Sequence, residues 1–94
     1  MRKGKIKVVN QLGLHARAAA QLVRLASRFR SSVKLIHHER QAEANAKSIL
    51  SVLALAAAVG TELEIIIDGE DEDEAWITIN TLFANGFGEM NERA

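Results

Sequence analysis

The chain reads as an α+β domain, an antiparallel sheet with helices laid over one face. Three observations predict this. Apolar residues alternate with period two in short segments around residues 5–9, 33–37 and 61–68. They recur with helical period in three longer ones, 16–29, 49–58 and 70–85. The resulting order is strand, helix, strand, strand, helix, strand, helix, and few of its connections are long enough for parallel crossovers. Ninety-four residues are enough for a single core and too few for two, so one domain is expected over 1–94.

The first strand, Lys5 to Val9, places Ile6 and Val8 inward with Lys5 and Lys7 on the open face. Asn10 to Gly13 then forms a loop, and the helical pattern starts at Ala16. Leu22, Leu25, Ala26 and Phe29 make its buried stripe. Arg17, Gln21, Arg24 and Arg28 fall on the opposite face, at i, i+4, i+7 and i+11. Such a basic row is often just a solvated face. Its continuity with Arg17 favours a docking surface for acidic partners.

Ser31-Ser32 breaks the helix, Val33 to His37 alternates again, and a hairpin leads to a short third strand around Gln41 to Glu43. His37 and His38 are neighbours whose side chains point to opposite faces of a strand, so they read as surface histidines and not as a ligand pair. Ser48 is a good N-cap for the second helix, which runs to about Ala58 with Gly60 as its C-terminal cap. The fourth strand, Thr61 to Asp68, turns Leu63, Ile65 and Ile67 inward and Glu62, Glu64 and Ile66 outward. Asp68-Gly69 turns the chain. The acidic run Glu70 to Glu74 suits a helix start, with Asp71 and Glu74 at capping-box spacing. Ala75, Ile79, Leu82 and Phe83 form the last buried stripe, and Gly86 ends the helix.

Composition excludes several classes. Twelve basic and twelve acidic residues balance, so the chain as a whole is no polyanion binder. Four aromatic residues, none set in a basic run, argue against stacking on nucleic acid. Without cysteine there is neither a disulfide scaffold nor a thiolate metal site. The start, Met1 to Lys5, is followed by no apolar signal segment, and no run approaches a membrane span. A cytoplasmic, monomeric domain without metal or cofactor is expected.

The informative stretch is Gly13-Leu14-His15-Ala16-Arg17, at the junction of strand and helix. A helix start leaves backbone N–H groups without partners, and with the helix dipole these favour an anion. Histidine is a nucleophile at neutral pH, and arginine is a planar hydrogen-bond donor suited to phosphate. His15, Arg17 and the N–H groups of Ala16, Arg17 and Ala18 therefore read as a phosphohistidine site. The plainer alternative is a solvated cap residue.

The pentapeptide resembles the signature of the HPr family, the histidine phosphocarriers of the bacterial phosphoenolpyruvate-dependent sugar phosphotransferase system. Lys47-Ser48-Ile49-Leu50 resembles that family's regulatory-serine segment, and Asp68-Gly69-Glu70-Asp71-Glu72 its closing turn and acidic helix start. The resemblance implies an open-faced sandwich with strand order 1-4-2-3 and three helices on one face. Lys5, Lys7 and Lys34 flanking Glu62 and Glu64 would agree with that order. It further implies a phosphoryl group received on Nδ1 of His15 from Enzyme I and passed to sugar-specific A components. The chain would then be a carrier without independent turnover. Ser48 would be a control site for an HPr kinase/phosphorylase, and Ile49, Leu50 and Leu53 an apolar docking patch. Two features depart from the family. Two extra residues separate His15 from Ser48, with Glu39-Arg40 in place of a glycine turn, and Ala18 stands where proline is usual. A regulatory paralogue without sugar import, or an unrelated α+β binding module, are the competing readings.

Overall fold

In a computed structural model, which describes residues 1–90, four strands form one antiparallel sheet. They are β1 (Arg2–Lys7), β2 (Ser32–His37), β3 (Ala42–Asn45) and β4 (Glu62–Asp68), ordered β1-β4-β2-β3. Helices α1 (Ala16–Ala26), α2 (Ile49–Ala54) and α3 (Glu72–Ala84) complete the fold, with single 3₁₀ turns at His38–Arg40 and Gly86–Gly88. The expected order of elements and strands is therefore present. The last four residues of the expected 1–94 domain lie outside the described residues.

Period two in the strands and period 3.6 in the helices meet in one core. Ile6, Val33, Leu35, Ala44, Leu63, Ile65 and Ile67 face the helices and are buried. Against them lie Ala18, Ala19, Leu22 and Ala26 of α1, Val52 of α2, and Ala75, Ile79 and Phe83 of α3. Each fully buried Leu, Ile or Phe contributes about 1.5–3 kcal/mol relative to exposure, so this single layer dominates the stability. Leu25, Phe29 and Leu82, expected in the buried stripes, are only partly covered. On the bare face Lys5 stands opposite Glu64 and Lys7 opposite Glu62, as the charge pattern implied. Lys34 instead faces Ile66 across the β2–β4 ladder and reaches Glu43 of β3 at 3.5 Å.

Several boundaries differ from expectation for tertiary reasons. β1 starts at Arg2 because β4 supplies partners as far as Ile67, while Trp76 of α3 takes the Arg2 guanidinium at 4.9 Å. β3 is displaced to Ala42–Asn45 since Gln41 adopts a left-handed conformation (φ 53°) and cannot continue a strand. α2 stops at Ala54. The alanine-rich run continues, but Ala56 turns left-handed (φ 51°), and Gly60 is the site of a loop contact, donating its N–H to Val8 at 2.7 Å. His37 is not a surface histidine. It shares the inward face with Val33 and Leu35 and is 6 % exposed, whereas His38 is exposed and bonds Glu64 at 2.8 Å.

The capping box at Asp71 does not form. Its carboxylate instead accepts hydrogen bonds from the Ser31 hydroxyl and from the N–H groups of Arg30 and Ser31, pinning the α1–β2 connection to the start of α3. The Ser31 hydroxyl bond first, and the Arg30 amide next, lower this carboxyl from 3.8 to about 2. A depressed carboxyl contributes stability above its ordinary range and loses it as pH falls towards the folded value. Asp71→Asn should therefore lower the melting temperature at pH 7. It should also flatten the loss of stability between about pH 4 and pH 2, which thermal unfolding across that range would measure.

Candidate functional site

The loop from Asn10 to Leu14 delivers His15 to the start of α1. Asn10 is fully buried, and its carbonyl accepts the Gly13 N–H at 3.0 Å. Gly13 takes φ 65°, and Leu14 then donates to the carbonyl of Ala57 in the α2–β4 connection at 2.9 Å. His15 is the N-cap residue. Its backbone is extended (φ −73°, ψ 178°), its carbonyl accepts from Ala19 at 2.8 Å, and its side chain makes no capping bond. The ring is thus free of the helix and only 27 % exposed.

What holds the ring lies seventy-four residues away. Nε2 of His15 is 3.0 Å from both carboxylate oxygens of Glu89. Arg17 reaches the same carboxylate, with Nη2 at 2.9 Å and Nε at 3.3 Å from Oε2. Asn10 closes the other side, its Nδ2 donating to Oε1 at 2.7 Å and to the Gly13 carbonyl at 2.8 Å. Both partners of that nitrogen are acceptors, which fixes the orientation of the Asn10 amide. Its Oδ1 finds no partner among the described residues.

Burial alone would raise the Glu89 carboxyl. Hydrogen bonds from Asn10, Arg17 and His15, together with the charge of His15, outweigh it and hold the group at about 2. Glu89 is therefore ionised across the neutral range although its side chain is only 4 % exposed. Nothing in the sequence near it carries this information, and neither Glu89 nor the side chain of Asn10 was expected in the site.

Of the other expected site residues, Ala16 and Arg17 are exposed at the helix start. Ala18 is wholly enclosed in the core. Gln21, Arg24 and Arg28 line one shallow groove with Leu25 and Leu82, which brings the basic row together although Arg28 lies beyond the end of α1. Gln21 also donates to the Phe87 carbonyl at 3.1 Å, so it supports the approach to Glu89. Ser48 is the N-cap of α2, its Oγ accepting from the Ser51 N–H at 3.4 Å. Beyond it Ile49 and Leu50 are 40 % and 77 % exposed, while Leu53 packs partly against the core. Among the described residues no three His, Cys, Asp or Glu side chains are grouped to hold a metal ion. None of the described helices is long and apolar enough to cross a membrane.

Fold and site together define a class: a small open-faced sandwich that presents a histidine, with a guanidinium beside it, at a helix start. The comparisons with known proteins name the family. Residues 2–85 match the family described as "PTS HPr component phosphorylation site". The phosphocarrier protein HPr of Xylella fastidiosa is 47 % identical over 89 residues, covering 95 % of this chain and 98 % of that protein. That of Cupriavidus necator is 48 % identical over 82 residues, covering 87 % and 90 %. A crystal structure of HPr from Thermoanaerobacter tengcongensis superposes over the whole of both chains with a TM-score of 0.87 at 33 % identity. The chain belongs to the HPr family, the phosphocarriers of the phosphotransferase system.

Proposed function

We propose that His15 is the phosphoryl acceptor of this carrier, receiving the group from phosphorylated Enzyme I and handing it to sugar-specific A components. The observation that carries the reading is the placement of His15. A nucleophilic ring stands at a helix start, uncommitted to capping, with Arg17 within reach of the same carboxylate. Nδ1 attacks the phosphorus in line. Arg17 and the backbone at Ala16 and Arg17 then offset charge on the phosphoryl oxygens. Such transfer depends on positioning and electrostatics and needs no cofactor, which suits a cytoplasmic, monomeric carrier with no turnover of its own. Incubation with Enzyme I and labelled phosphoenolpyruvate tests it. Acid-labile label on the chain is expected, and acid-stable label or none would overturn the assignment.

Partners would dock over the basic groove of Gln21, Arg24 and Arg28 and the apolar patch of Ile49 and Leu50, with Leu53 at its base. Ser48 borders that patch, so phosphorylation by an HPr kinase/phosphorylase would set a double negative charge beside it. Ser48→Asp should slow acceptance from Enzyme I roughly tenfold, the equivalent of about 1.4 kcal/mol of docking energy. His15 should remain labelled at long times. Equal initial rates in the two proteins would remove Ser48 from the regulatory role and leave it a cap.

A further inference from the structure

The carboxylate against His15 is not a casual surface partner. Glu89 follows three consecutive residues with positive φ: Gly86 at 60°, Phe87 at 57° and Gly88 at 76°. Left-handed backbone is costly for a residue as bulky as phenylalanine. Here it is held by packing, since Phe87 is 2 % exposed, stacks edge-on against Phe83 at 4.9 Å and receives the Gln21 hydrogen bond. The effect of the strained turn is to carry Glu89 into a pocket closed by Asn10, His15 and Arg17.

We propose that Glu89 is the positioning residue for His15, holding the ring by its Nε2–H so that Nδ1 is presented as the nucleophile and balancing the positive ring that transfer creates. The proposal rests on His15 being the acceptor. An ionised carboxylate can only accept hydrogen bonds, so the nitrogen 3.0 Å from both its oxygens carries the proton. In a neutral imidazole the other nitrogen then bears the free lone pair. Among the described residues nothing hydrogen-bonds Nδ1.

The transfer step follows from that protonation state. The Nδ1 lone pair forms the new nitrogen–phosphorus bond, and the bond from phosphorus to the donor protein's carrying atom breaks, its electron pair leaving with that atom. No proton moves on His15. Its ring now carries one positive charge with Nε2 still protonated, and the Glu89 carboxylate lies beside that charge. On onward transfer the ring leaves as the neutral imidazole from which it began. Arg17 shares Oε2 with the ring, so the same carboxylate also keeps the guanidinium alongside the reacting centre.

Two measurements on the full chain test this. In ¹⁵N-labelled protein, a downfield proton bound to Nε2 of His15 is expected in the wild type and should be lost to exchange in Glu89→Ala. With Enzyme I and labelled phosphoenolpyruvate, Glu89→Gln keeps the shape and an acceptor oxygen but removes the charge. It should be slowed roughly 10- to 100-fold, by analogy with the range seen when the carboxylate orienting a metal-ligating histidine is removed. Glu89→Ala should be slowed at least as much, and Glu89→Asp should recover part of the rate.

Variants as fast as the wild type would overturn the proposal. Faster transfer would overturn it too, showing Glu89 to be a plug that competes with the phosphoryl group for Arg17. Absence of the Nε2 proton in the wild type would overturn it without recourse to any variant. A wild-type chain that takes no label would instead defeat the acceptor reading and with it the charge-balancing role. Loss of the Nε2 proton in Glu89→Ala would then still establish the ring contact.

Discussion

Acid-labile phosphorylation should fall to background in His15→Ala while the chain keeps its fold. The side chain makes no capping bond, and alanine removes neither the carbonyl that accepts from Ala19 nor any core contact of Leu14 or Ala18. Glu89 loses one of its three partners and keeps Asn10 and Arg17, so its charge is not stranded. Circular dichroism and the melting temperature should therefore stay close to the wild type. The other two histidines are poor substitutes, since His37 is buried in β2 and His38 is bonded to Glu64 on the bare face of the sheet. Label persisting on either would overturn the assignment of His15. Arg17→Ala belongs to the same experiment. Removing one donor to the developing phosphoryl charge costs about 10²–10³ in rate. Arg17→Lys should restore only part of it, because a single ammonium cannot reproduce the two contacts made by Nη2 and Nε.

Much of this architecture was legible because local pattern and tertiary packing agree. Leu63, Ile65 and Ile67 alternate in the sequence and are fully buried, and Ser48 caps the helix it precedes. The failures occur where a distant group outbids a local one. Asp71 has a capping-box partner three residues on, yet Arg30 and Ser31 offer it three donors from another connection. Ala54 to Ala58 has the composition of a helix, but the carbonyl of Ala57 is needed by Leu14, and the chain leaves the helix at Leu55 and Ala56 to provide it. His37 follows the inward alternation of Val33 and Leu35, so its burial is readable from period two; opposite-facing neighbours exclude a shared ligand pair but leave one of the two inward. Glu89 had no such signal. It matters only because α3 and the turn after it return the chain to the start of α1, and it lies beyond the residues that the family match spans.

Gly13→Ala is expected to be the most damaging small substitution in the delivery loop. Two costs coincide there. At φ 65° an alanine pays for a left-handed backbone, about 1–2 kcal/mol. Its Cβ would also lie 2.5 Å from the Ala57 carbonyl oxygen and 3.0 Å from the Ala58 Cα, and both neighbours are backbone. Relief requires the α2–β4 connection to move, and with it the carbonyl that holds Leu14 at 2.9 Å. A total of at least about 2 kcal/mol follows, near 10 °C of melting temperature for a domain of this size. Gly60→Ala is the control, because Gly60 is also left-handed (φ 89°) but has nothing within 4 Å of an added Cβ. It should show the conformational cost alone, about 1–2 kcal/mol. The excess in Gly13→Ala then measures how tightly the two loops are pressed together. That excess should appear in function as well, since His15 lies two residues beyond Gly13 and must keep Nε2 on a carboxylate that Asn10 and Arg17 fix in place. Transfer to His15 should slow in Gly13→Ala below the temperature of unfolding and stay near the wild-type rate in Gly60→Ala. If the two variants melted together and transferred alike, the Ala57 contact would not be what sets the position of His15.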